Sequence, residues 1–200
     1  VLVQKSIAEE YTNRLINALK LLKVCEPHEK ECDMGPLVSE QAACEVENKV
    51  NQTIKQGARC VFGGKRYNKT YFEPTVLKDV TADMDIAKDM EIFGPVVPII
   101  EFEENDEAIK IANQTKYGLS GGVIGRDIKA ALSTALKLES GTTVVNGCGD
   151  YRTLYTPFGG HKMSGIGTEG LMLTLEEMML TKCVALKGIV EESVSESVLR

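Results

Sequence analysis

The residues with the clearest chemical potential lie between Glu91 and Phe102, where a carboxylate and an aromatic ring stand two positions apart. In an extended chain, positions i and i+2 point to the same side, so Glu91 and Phe93 would face one space together. The Gly94-Pro95 pair that follows predicts a stiff turn into an apolar strand. A carboxylate beside a flat apolar ring suits a sugar, which has hydroxyls to donate and a face to pack. The alternative is a solvated glutamate at the start of a strand and a core phenylalanine.

A second candidate region is the long segment between Gly147 and Gly170, which is rich in glycine, aromatic and charged residues and has no regular periodicity. Loops of this length in compact domains are usually functional or disordered, and its glycines and aromatic residues favour function. Arg152 stands out in it, because a guanidinium presents a fixed fork of donors to a carboxylate or phosphate. The alternative for Arg152 is a surface side chain paired with Asp150 or with a backbone carbonyl.

Other motif-like patterns carry less weight. The G-x-G-x-x-G pattern of residues 165–170 lacks the preceding strand of a nucleotide-binding fingerprint, and it predicts a tight turn instead. Cys25, His28 and Cys32 lack C-x-x-C spacing and a visible fourth ligand, which disfavours a zinc site. With two histidines in the chain, a serine–histidine–aspartate triad has little support.

The length, composition and charge of the chain argue against several classes of function. The chain has 200 residues, 43% of them hydrophobic, which suits one domain or one domain plus a tail. Its net charge of −6 argues against nucleic acid and anionic membranes as main partners. We find no apolar run long enough to span a bilayer and no signal-peptide pattern. The six cysteines are therefore expected to be reduced thiols in a cytoplasmic protein.

The predicted elements that would position these residues alternate between strand and helix. Predicted strands cover residues 1–4, 59–62, 71–76, 96–102, 119–125 and 141–146, and predicted helices cover residues 6–22, 39–57, 105–113, 127–138 and 171–178. The first four of these helices are predicted to have N-terminal caps at Ser6, Ser39, Asn105 and Asp127. This alternation indicates right-handed βαβ units and a mostly parallel sheet. The alternating stretch from Thr181 to Lys187 predicts a further strand with no partner nearby in the sequence, and we expect it to pair with another subunit.

Seven short motifs, taken together and in order, resemble the aldehyde dehydrogenase superfamily along the chain from residue 1 to about residue 187. They are Met34-Gly35-Pro36, Tyr71-Phe-Glu-Pro-Thr-Val76, Glu91-Ile-Phe-Gly-Pro-Val96, Tyr117-Gly-Leu-Ser-Gly121, Gly141-Thr-Thr-Val-Val-Asn146, Pro157-Phe-Gly-Gly160 and Lys162-Met-Ser-Gly165. The resemblance implies an α/β fold, with a three-layer, open, mostly parallel twisted sheet and a C-terminal intersubunit strand.

The resemblance also implies a reaction. Members of this superfamily oxidise an aldehyde to a carboxylic acid with NAD or NADP as the hydride acceptor. A cysteine thiolate attacks the aldehyde, and a glutamate activates the water that releases the acid. The implied partners are a small aldehyde and other copies of the chain, in a homodimer or homotetramer, and no metal is implied.

Individual roles follow from the matching motifs. Glu91 matches the residue that holds the hydroxyls of the nicotinamide ribose, and Phe93 matches a ring packed beside the nicotinamide end. The loop from Asn146 to Phe158 matches the wall of the substrate tunnel, which makes Arg152 and Phe158 candidate substrate-binding residues. The closest branch includes lactaldehyde, semialdehyde and non-phosphorylating glyceraldehyde-3-phosphate dehydrogenases, several of which take polar or anionic aldehydes.

The superfamily's nucleophilic cysteine, general base, oxyanion asparagine and Rossmann half have no counterpart in these residues and are expected upstream of Val1. We therefore interpret residues 1–179 as most of a catalytic domain, residues 180–188 as an oligomerisation strand and residues 189–200 as a polar tail. The isolated chain is expected to be inactive. The alternative is a non-catalytic assembly or binding module derived from the same fold.

Overall fold

Short strands and helices alternate along residues 1–188, which are the residues that the computed structural model describes. The helices are α1 (Ala8–Leu19), α2 (Glu40–Lys55), α3 (Asn105–Asn113), α4 (Ile128–Lys137) and α5 (Leu171–Glu177). The strands are β1 (Leu2–Gln4), β2 (Arg59–Phe62), β3 (Arg66–Tyr67), β4 (Tyr71–Phe72), β5 (Thr75–Lys78), β6 (Val96–Pro98), β7 (Ile100–Phe102), β8 (Tyr117–Gly118), β9 (Ser120–Val123), β10 (Thr142–Val145) and β11 (His161–Lys162). The predicted tail, residues 189–200, lies outside the described residues.

The central sheet is organised around the predicted strand of residues 96–102. Its first half, β6, pairs in parallel with β5, and its second half, β7, pairs in parallel with β1. Strand β2 is antiparallel to the other edge of β5. The break between β6 and β7 is a single residue, Ile99, whose backbone N–H still donates to the Leu77 carbonyl at 2.8 Å. One continuous and largely apolar segment, residues 96–102, therefore joins the two parts of the sheet.

The strands of the remaining pairs are shorter than those that the sequence predicted. Strands β9 and β10 are parallel, whereas the β3–β4 and β8–β11 pairs are antiparallel. Glu73 and Pro74 separate β4 from β5, and Leu119 separates β8 from β9. The prediction of an α/β fold is confirmed, but the sheets of the described chain are short and divided, and parallel and antiparallel pairs are mixed.

Helix starts follow the predicted caps in two cases. Ser39 accepts a hydrogen bond from the Ala42 N–H at the start of α2, and Asp127 accepts from the N–H groups of Lys129 and Ala130 at the start of α4. The predicted caps at Asn105 and Ser6 are wrong. Asn105 is the first residue of α3, which has no side-chain cap. A 3₁₀ turn occupies Lys5–Ile7, so Ser6 lies inside that turn and α1 begins at Ala8 with no side-chain cap.

The core lies on both faces of the central sheet. Val76 and Leu77 are adjacent in β5, so their side chains point to opposite faces, and both are fully buried. Val76 packs in a cluster with Ala8 and neighbouring residues of α1, whereas Leu77 packs in a cluster with α2 residues. Burying a side chain of this size contributes about 1.5–3 kcal/mol. Helices α1 and α2 therefore hold the sheet between them.

A charged residue connects α1 to the edge of this core. The Lys78 side chain is only 11% exposed, and its Nζ donates to Glu9 Oε2 at 2.7 Å. Glu101 Oε1 lies 3.8 Å from the same nitrogen. The hydrogen bond to Glu9 raises the pKa of Lys78 and lowers the pKa of Glu9. The buried ammonium is thus compensated mainly by one residue of α1.

The C-terminal end of the described chain is exposed. Residues 181–187, which the sequence predicted as a strand, have no strand partner within residues 1–188. This is the result expected when a strand's partner belongs to another subunit, so the prediction of intersubunit pairing stays a prediction. None of the helices within residues 1–188 is both long and apolar enough to cross a membrane.

The expectation that all six cysteines are reduced is wrong for one pair. Cys25 and Cys32 form a disulfide with their Cα atoms 5.6 Å apart, and the other four cysteines are free. The loop between α1 and α2 folds back on itself, which brings together two residues separated by seven positions. The spacing of these cysteines carried no signal of that fold.

Replacement of Glu9 by glutamine should lower the melting temperature by a few degrees at neutral pH, because the buried Lys78 ammonium loses its nearest carboxylate. The lowered pKa of Glu9 belongs to the folded chain, so its contribution is present above the unfolded value of 4.5 and is lost as the pH falls through the folded value. The difference between the two proteins should therefore disappear in acid.

The matched control is Glu10→Gln on the same helix, since Glu10 pairs with Arg14 on the surface. Thermal melts followed by circular dichroism should show little change for this variant at any pH. An equal effect of the two substitutions, or a Glu9→Gln effect that is independent of pH, would contradict the assigned role of Glu9.

Candidate functional site

Residues 91–95, called the corner below, are fixed between α2 and β5. A Cβ atom on Gly94 would lie 2.7 Å from Val46 Cγ2, so no side chain fits there without movement of the helix residue. Lys49, one turn further along α2, donates from its Nζ to the Glu91 carbonyl at 2.6 Å. On the other side, the Pro95 carbonyl accepts from the Thr75 N–H at 2.8 Å. The corner therefore has close contacts with both elements.

Glu91 lines a cavity of about 660 Å³. This volume lies in the range of sites for small molecules and cofactors. Within residues 1–188, the Glu91 carboxylate has no hydrogen-bond or salt-bridge partner, and the residue is exposed. The cavity is lined by residues 88–91, 117–122 and 138–140, with Ala112, Asn113, Thr115, Met163 and Ser164.

Phe93 does not share this cavity with Glu91. Its φ is +52°, in the left-handed region that aromatic residues rarely adopt, so the chain is not extended here as the sequence argument required. The Phe93 side chain is 76% exposed and lines neither the larger cavity nor a smaller one beside Gly94 and Pro95. The prediction that Glu91 and Phe93 face one space is therefore wrong for this chain by itself. The role assigned to Phe93 stays a prediction.

The segment that leads into Glu91 is tied across the cavity by side-chain hydrogen bonds. The Asp89 carboxylate accepts from the Lys116 N–H at 2.9 Å and from the Thr115 hydroxyl at 3.2 Å. The bond from the Lys116 amide is the main reason that the pKa of Asp89 is lowered. Gln114 donates to the carbonyls of Ala82 and Ala87, both at 2.8 Å. Asp89 is thus engaged with residues 115–116, and Glu139 pairs with Lys162, so that within residues 1–188 Glu91 is the lining carboxylate without a partner.

Lys162, which follows β10 in the chain, connects residues 113–115 and Glu139 in the cavity wall. The Lys162 ammonium donates to the carbonyls of Asn113 and Thr115 at 2.7 and 2.9 Å, and it pairs with Glu139 at 2.7 Å. A Cβ atom on Gly141 would collide with the backbone carbonyl of Gly159. The glycines of two sequence motifs therefore permit close backbone packing beneath the cavity.

The two predicted substrate-binding residues, Arg152 and Phe158, lie together. The guanidinium carbon of Arg152 is 3.8 Å from the centre of the Phe158 ring, and Arg152 Nη2 is 3.4 Å from Glu169 Oε2. Phe158 and Glu169 also exchange two backbone hydrogen bonds, which places them opposite each other. We call these three residues the arginine group.

Glu169 was missed by sequence reasoning, although it lies in the G-x-G-x-x-G turn of residues 165–170. Asp150, the partner suggested for Arg152 from the sequence, instead accepts a hydrogen bond from the Cys148 thiol at 2.8 Å. That carboxylate raises the pKa of Cys148, which disfavours the reactive thiolate. Within residues 1–188, no group of three or more His, Cys, Asp and Glu side chains is arranged to hold a metal ion.

Comparison with protein families gives one clear match. The model of the aldehyde dehydrogenase family matches residues 1–184. Lactaldehyde dehydrogenase of Methanococcus maripaludis strain C7 is 38% identical over 189 residues, which are 94% of this chain and 40% of that protein. The chain therefore spans about 40% of the length of this curated relative.

Solved structures agree with that match. Glyceraldehyde-3-phosphate dehydrogenase GapN of Methanocaldococcus jannaschii, in complex with NADP, superposes with a TM-score of 0.83 at 41% identity, over 88% of this chain and 38% of that chain. Aldehyde dehydrogenase 21 of Physcomitrella patens, in complex with the reaction product succinate, gives a TM-score of 0.87 at 32% identity, over 94% of this chain and 39% of that chain.

The contact between Gly94 and Val46 can be tested by a double-mutant cycle in urea denaturation. Gly94→Ala should lower the free energy of unfolding by about 1–3 kcal/mol, because the added methyl group collides with Val46. Val46→Ala alone should cost about 1–3 kcal/mol through loss of buried methyl groups. The double variant should lose clearly less than the two single losses combined, because the smaller helix residue makes room for the new methyl group.

The matched control is Gly125→Ala, where the added Cβ would make an ordinary contact with Ala131 at 3.6 Å. This substitution should be close to neutral and additive with Val46→Ala. If the losses in the free energy of unfolding caused by Gly94→Ala and Val46→Ala were additive within about 0.5 kcal/mol, the proposed contact between the corner and α2 would be contradicted.

Proposed function

This chain belongs to the aldehyde dehydrogenase family, and we propose that it forms part of an oxidoreductase that oxidises an aldehyde to a carboxylic acid with NAD or NADP. Family membership supports the reaction class. The proposal for these residues is carried by Glu91, which lines the 660 Å³ cavity and whose carboxylate has no hydrogen-bond or salt-bridge partner within residues 1–188. Its backbone carbonyl is held by Lys49 of α2.

Glu91 fits the sugar of such a cofactor. An ionised carboxylate only accepts hydrogen bonds, and its two oxygens match the two neighbouring hydroxyls of a ribose. The bound cofactor would accept the hydride that leaves the aldehyde. Phe93 offers an exposed apolar ring two residues away, on strained backbone of the kind often found at ligand sites. In this proposal, Glu91 orients the ribose and Phe93 limits where the nicotinamide end can lie.

The remaining catalytic parts are proposed to lie outside these 200 residues. They are the nucleophilic cysteine, the general-base glutamate, the oxyanion asparagine and the Rossmann half. Cys148 is the cysteine nearest to the substrate loop, but the raised pKa of its thiol is opposite to what a nucleophile needs. The isolated chain is accordingly proposed to be inactive as a dehydrogenase.

We extend the proposal to assembly. Residues 1–179 would form most of the catalytic domain, in which the short sheets of this chain become parts of a larger, open, mostly parallel three-layer sheet. Residues 181–187 are exposed and alternate in side-chain character, which suits addition to the sheet of another subunit. The assembled enzyme would be a homodimer or homotetramer.

The role of Glu91 can be tested in a chimera that replaces the matching region of the M. jannaschii GapN with residues 1–184. We expect the chimera to reduce NADP in the presence of glyceraldehyde 3-phosphate. Glu91→Gln should raise the KM for NADP by about tenfold or more, equivalent to at least about 1.4 kcal/mol, because a neutral amide accepts ribose hydroxyls more weakly. Steady-state kinetics followed by NADPH absorbance would measure this.

Glu104→Gln serves as the matched control, since Glu104 is exposed and lies outside the cavity lining. It should leave the KM unchanged. A chimera that is folded by circular dichroism but inactive would overturn the proposal, and so would equal effects of the two substitutions. NADPH production by the 200-residue chain alone, above a buffer control, would refute its proposed inactivity.

We also propose that the arginine group selects polar or anionic aldehydes. The guanidinium carbon lies 3.8 Å from the centre of the Phe158 ring, and within residues 1–188 one long contact, to Glu169 at 3.4 Å, competes for the donors of Arg152. The two similar solved enzymes support this direction, since one is a glyceraldehyde-3-phosphate dehydrogenase and the other holds succinate. Arg152 would donate to the carboxylate or phosphate of the substrate.

In the same chimera, Arg152→Ala should raise the KM for succinic semialdehyde by about tenfold or more, with little change for propanal. Glu169→Gln should lower the KM for the semialdehyde, because it releases the guanidinium from its carboxylate. Arg152→Lys should not restore the loss, since an ammonium lacks the planar fork. Arg126→Ala, at another exposed arginine, is the control. Equal losses on both aldehydes would make Arg152 a structural residue.

A further inference from the structure

We propose that Cys25 and Cys32 form a reversible thiol–disulfide site whose oxidised form fixes the cavity wall beside the Gly94-Pro95 corner. The site lies in residues 23–34, called the cysteine loop below, between α1 and α2. The inference does not rest on the proposed dehydrogenase activity, because it concerns the chemistry and packing of this loop alone.

The base of the cysteine loop is closed by backbone hydrogen bonds as well as by the disulfide. The Lys23 carbonyl accepts from the N–H groups of Asp33 and Met34 at 3.0 and 3.2 Å, and the Cys25 N–H donates to the Met34 carbonyl at 3.1 Å. The Lys23 N–H also donates to the Asp33 carboxylate at 2.8 Å. These bonds keep the two sulfur atoms near each other when the disulfide is open, which favours its re-formation.

The disulfide is accessible to exchange. Residues 26–31, which lie between the two cysteines, are all exposed, and the cysteines themselves are half-buried. Thiol–disulfide exchange requires a thiolate to approach one sulfur along the S–S axis, which an exposed loop permits. Cys60 lies in β2, which pairs with β5, and burial raises the pKa of its thiol, which disfavours the reactive thiolate. The cysteine pair in the loop is therefore a better exchange site than Cys60.

A dithiol of the thioredoxin or dithiothreitol class can reduce the Cys25–Cys32 disulfide. The reductant's thiolate attacks one sulfur, the Cys25–Cys32 bond breaks, and the reductant's second thiol resolves the mixed disulfide. Two electrons and two protons pass to the protein, which gains two thiols. The reductant becomes a disulfide. Oxidised glutathione or a related disulfide reverses the exchange.

Three contacts connect the cysteine loop to a second cavity of about 400 Å³. Asp33, the residue after Cys32, lines this cavity directly. Pro27 packs on Gly35, where an added Cβ would be 3.2 Å from Pro27 Cγ. Glu26 accepts a hydrogen bond from the Tyr71 hydroxyl at 2.6 Å, and the next residue, Phe72, lines the cavity.

The same cavity reaches the corner, since Gly94 and Pro95 line it together with residues 33–37 and Phe72. The hydrogen bond to Glu26 raises the pKa of Tyr71 to about 12, so the Tyr71 hydroxyl stays protonated and keeps donating at neutral pH. Opening the disulfide increases the conformational freedom of the loop that contains Glu26 and Pro27. We expect residues 33–37 to become more mobile, which changes the environment of the corner.

Thiol counts test the exchange itself in the full 200-residue chain. Ellman titration in denaturant should find four thiols after air purification and six after treatment with dithiothreitol, with a return to four in oxidised glutathione. Cys25→Ser/Cys32→Ser should give four thiols throughout. The proposal would be overturned if six thiols were found at purification and the count stayed at six in oxidised glutathione. It would also be overturned if four thiols were found and the count stayed at four in dithiothreitol.

The coupling to the corner needs a local reporter. The chain has no tryptophan, so Phe93→Trp would place a single fluorophore on the exposed corner. We expect dithiothreitol to shift its emission, and to speed trypsin cleavage after Lys30 by about tenfold, in the chain that retains both cysteines. In Cys25→Ser/Cys32→Ser carrying the same tryptophan, dithiothreitol should change neither signal.

Cys148→Ser/Cys183→Ser is the matched control, because it removes two exposed free cysteines and leaves the loop disulfide intact. It should respond to dithiothreitol as the parent does. An emission shift that persists in Cys25→Ser/Cys32→Ser would assign the effect to another cysteine and overturn the proposal. Reduction to six thiols without any change in emission would overturn the coupling between the loop and the corner.

Discussion

The close approach of the Gly94 backbone to Val46 is the contact on which the candidate site depends. Because Gly94 has no side chain, the corner can lie directly against α2, where Lys49 holds the Glu91 carbonyl. The Pro95 carbonyl is bonded at the same time to Thr75, at the start of the most buried strand. The backbone position of Glu91, which lines the larger cavity, is therefore set by the packing of a helix and a sheet.

The corner lies beside two cavities, and each is completed by a different part of the chain. The larger one combines Glu91 with the segments around β8 and β9 and with residues 138–140, tied together by Asp89 and Lys162. The smaller one combines Gly94 and Pro95 with the end of the cysteine loop. A cofactor at the first and a redox change at the second would thus both act on residues 91–95. The arginine group is a separate feature, built by the loop after β10.

Features with local causes were predictable from the sequence. The caps at Ser39 and Asp127, the strand of residues 96–102 and the positions of most helices depend on neighbouring residues, and the structure agrees with them. Glu91 was identified as a candidate from its neighbours and from family motifs. The features that escaped prediction depend on contacts between distant residues. Phe93 has a left-handed φ in a corner that packs on α2, Arg152 pairs with Glu169 beside a backbone bridge, and Cys25 meets Cys32 through a folded loop.

The most direct test of the link between this packing and cofactor binding is the dissociation constant for NADPH, measured by its fluorescence with the chimeric enzyme. If the close contact between Gly94 and Val46 sets the position of Glu91, Gly94→Ala should weaken NADPH binding by about tenfold or more. Adding Val46→Ala to this variant should restore at least part of the affinity. A Gly94→Ala variant that is less stable but binds NADPH with unchanged affinity would contradict the link.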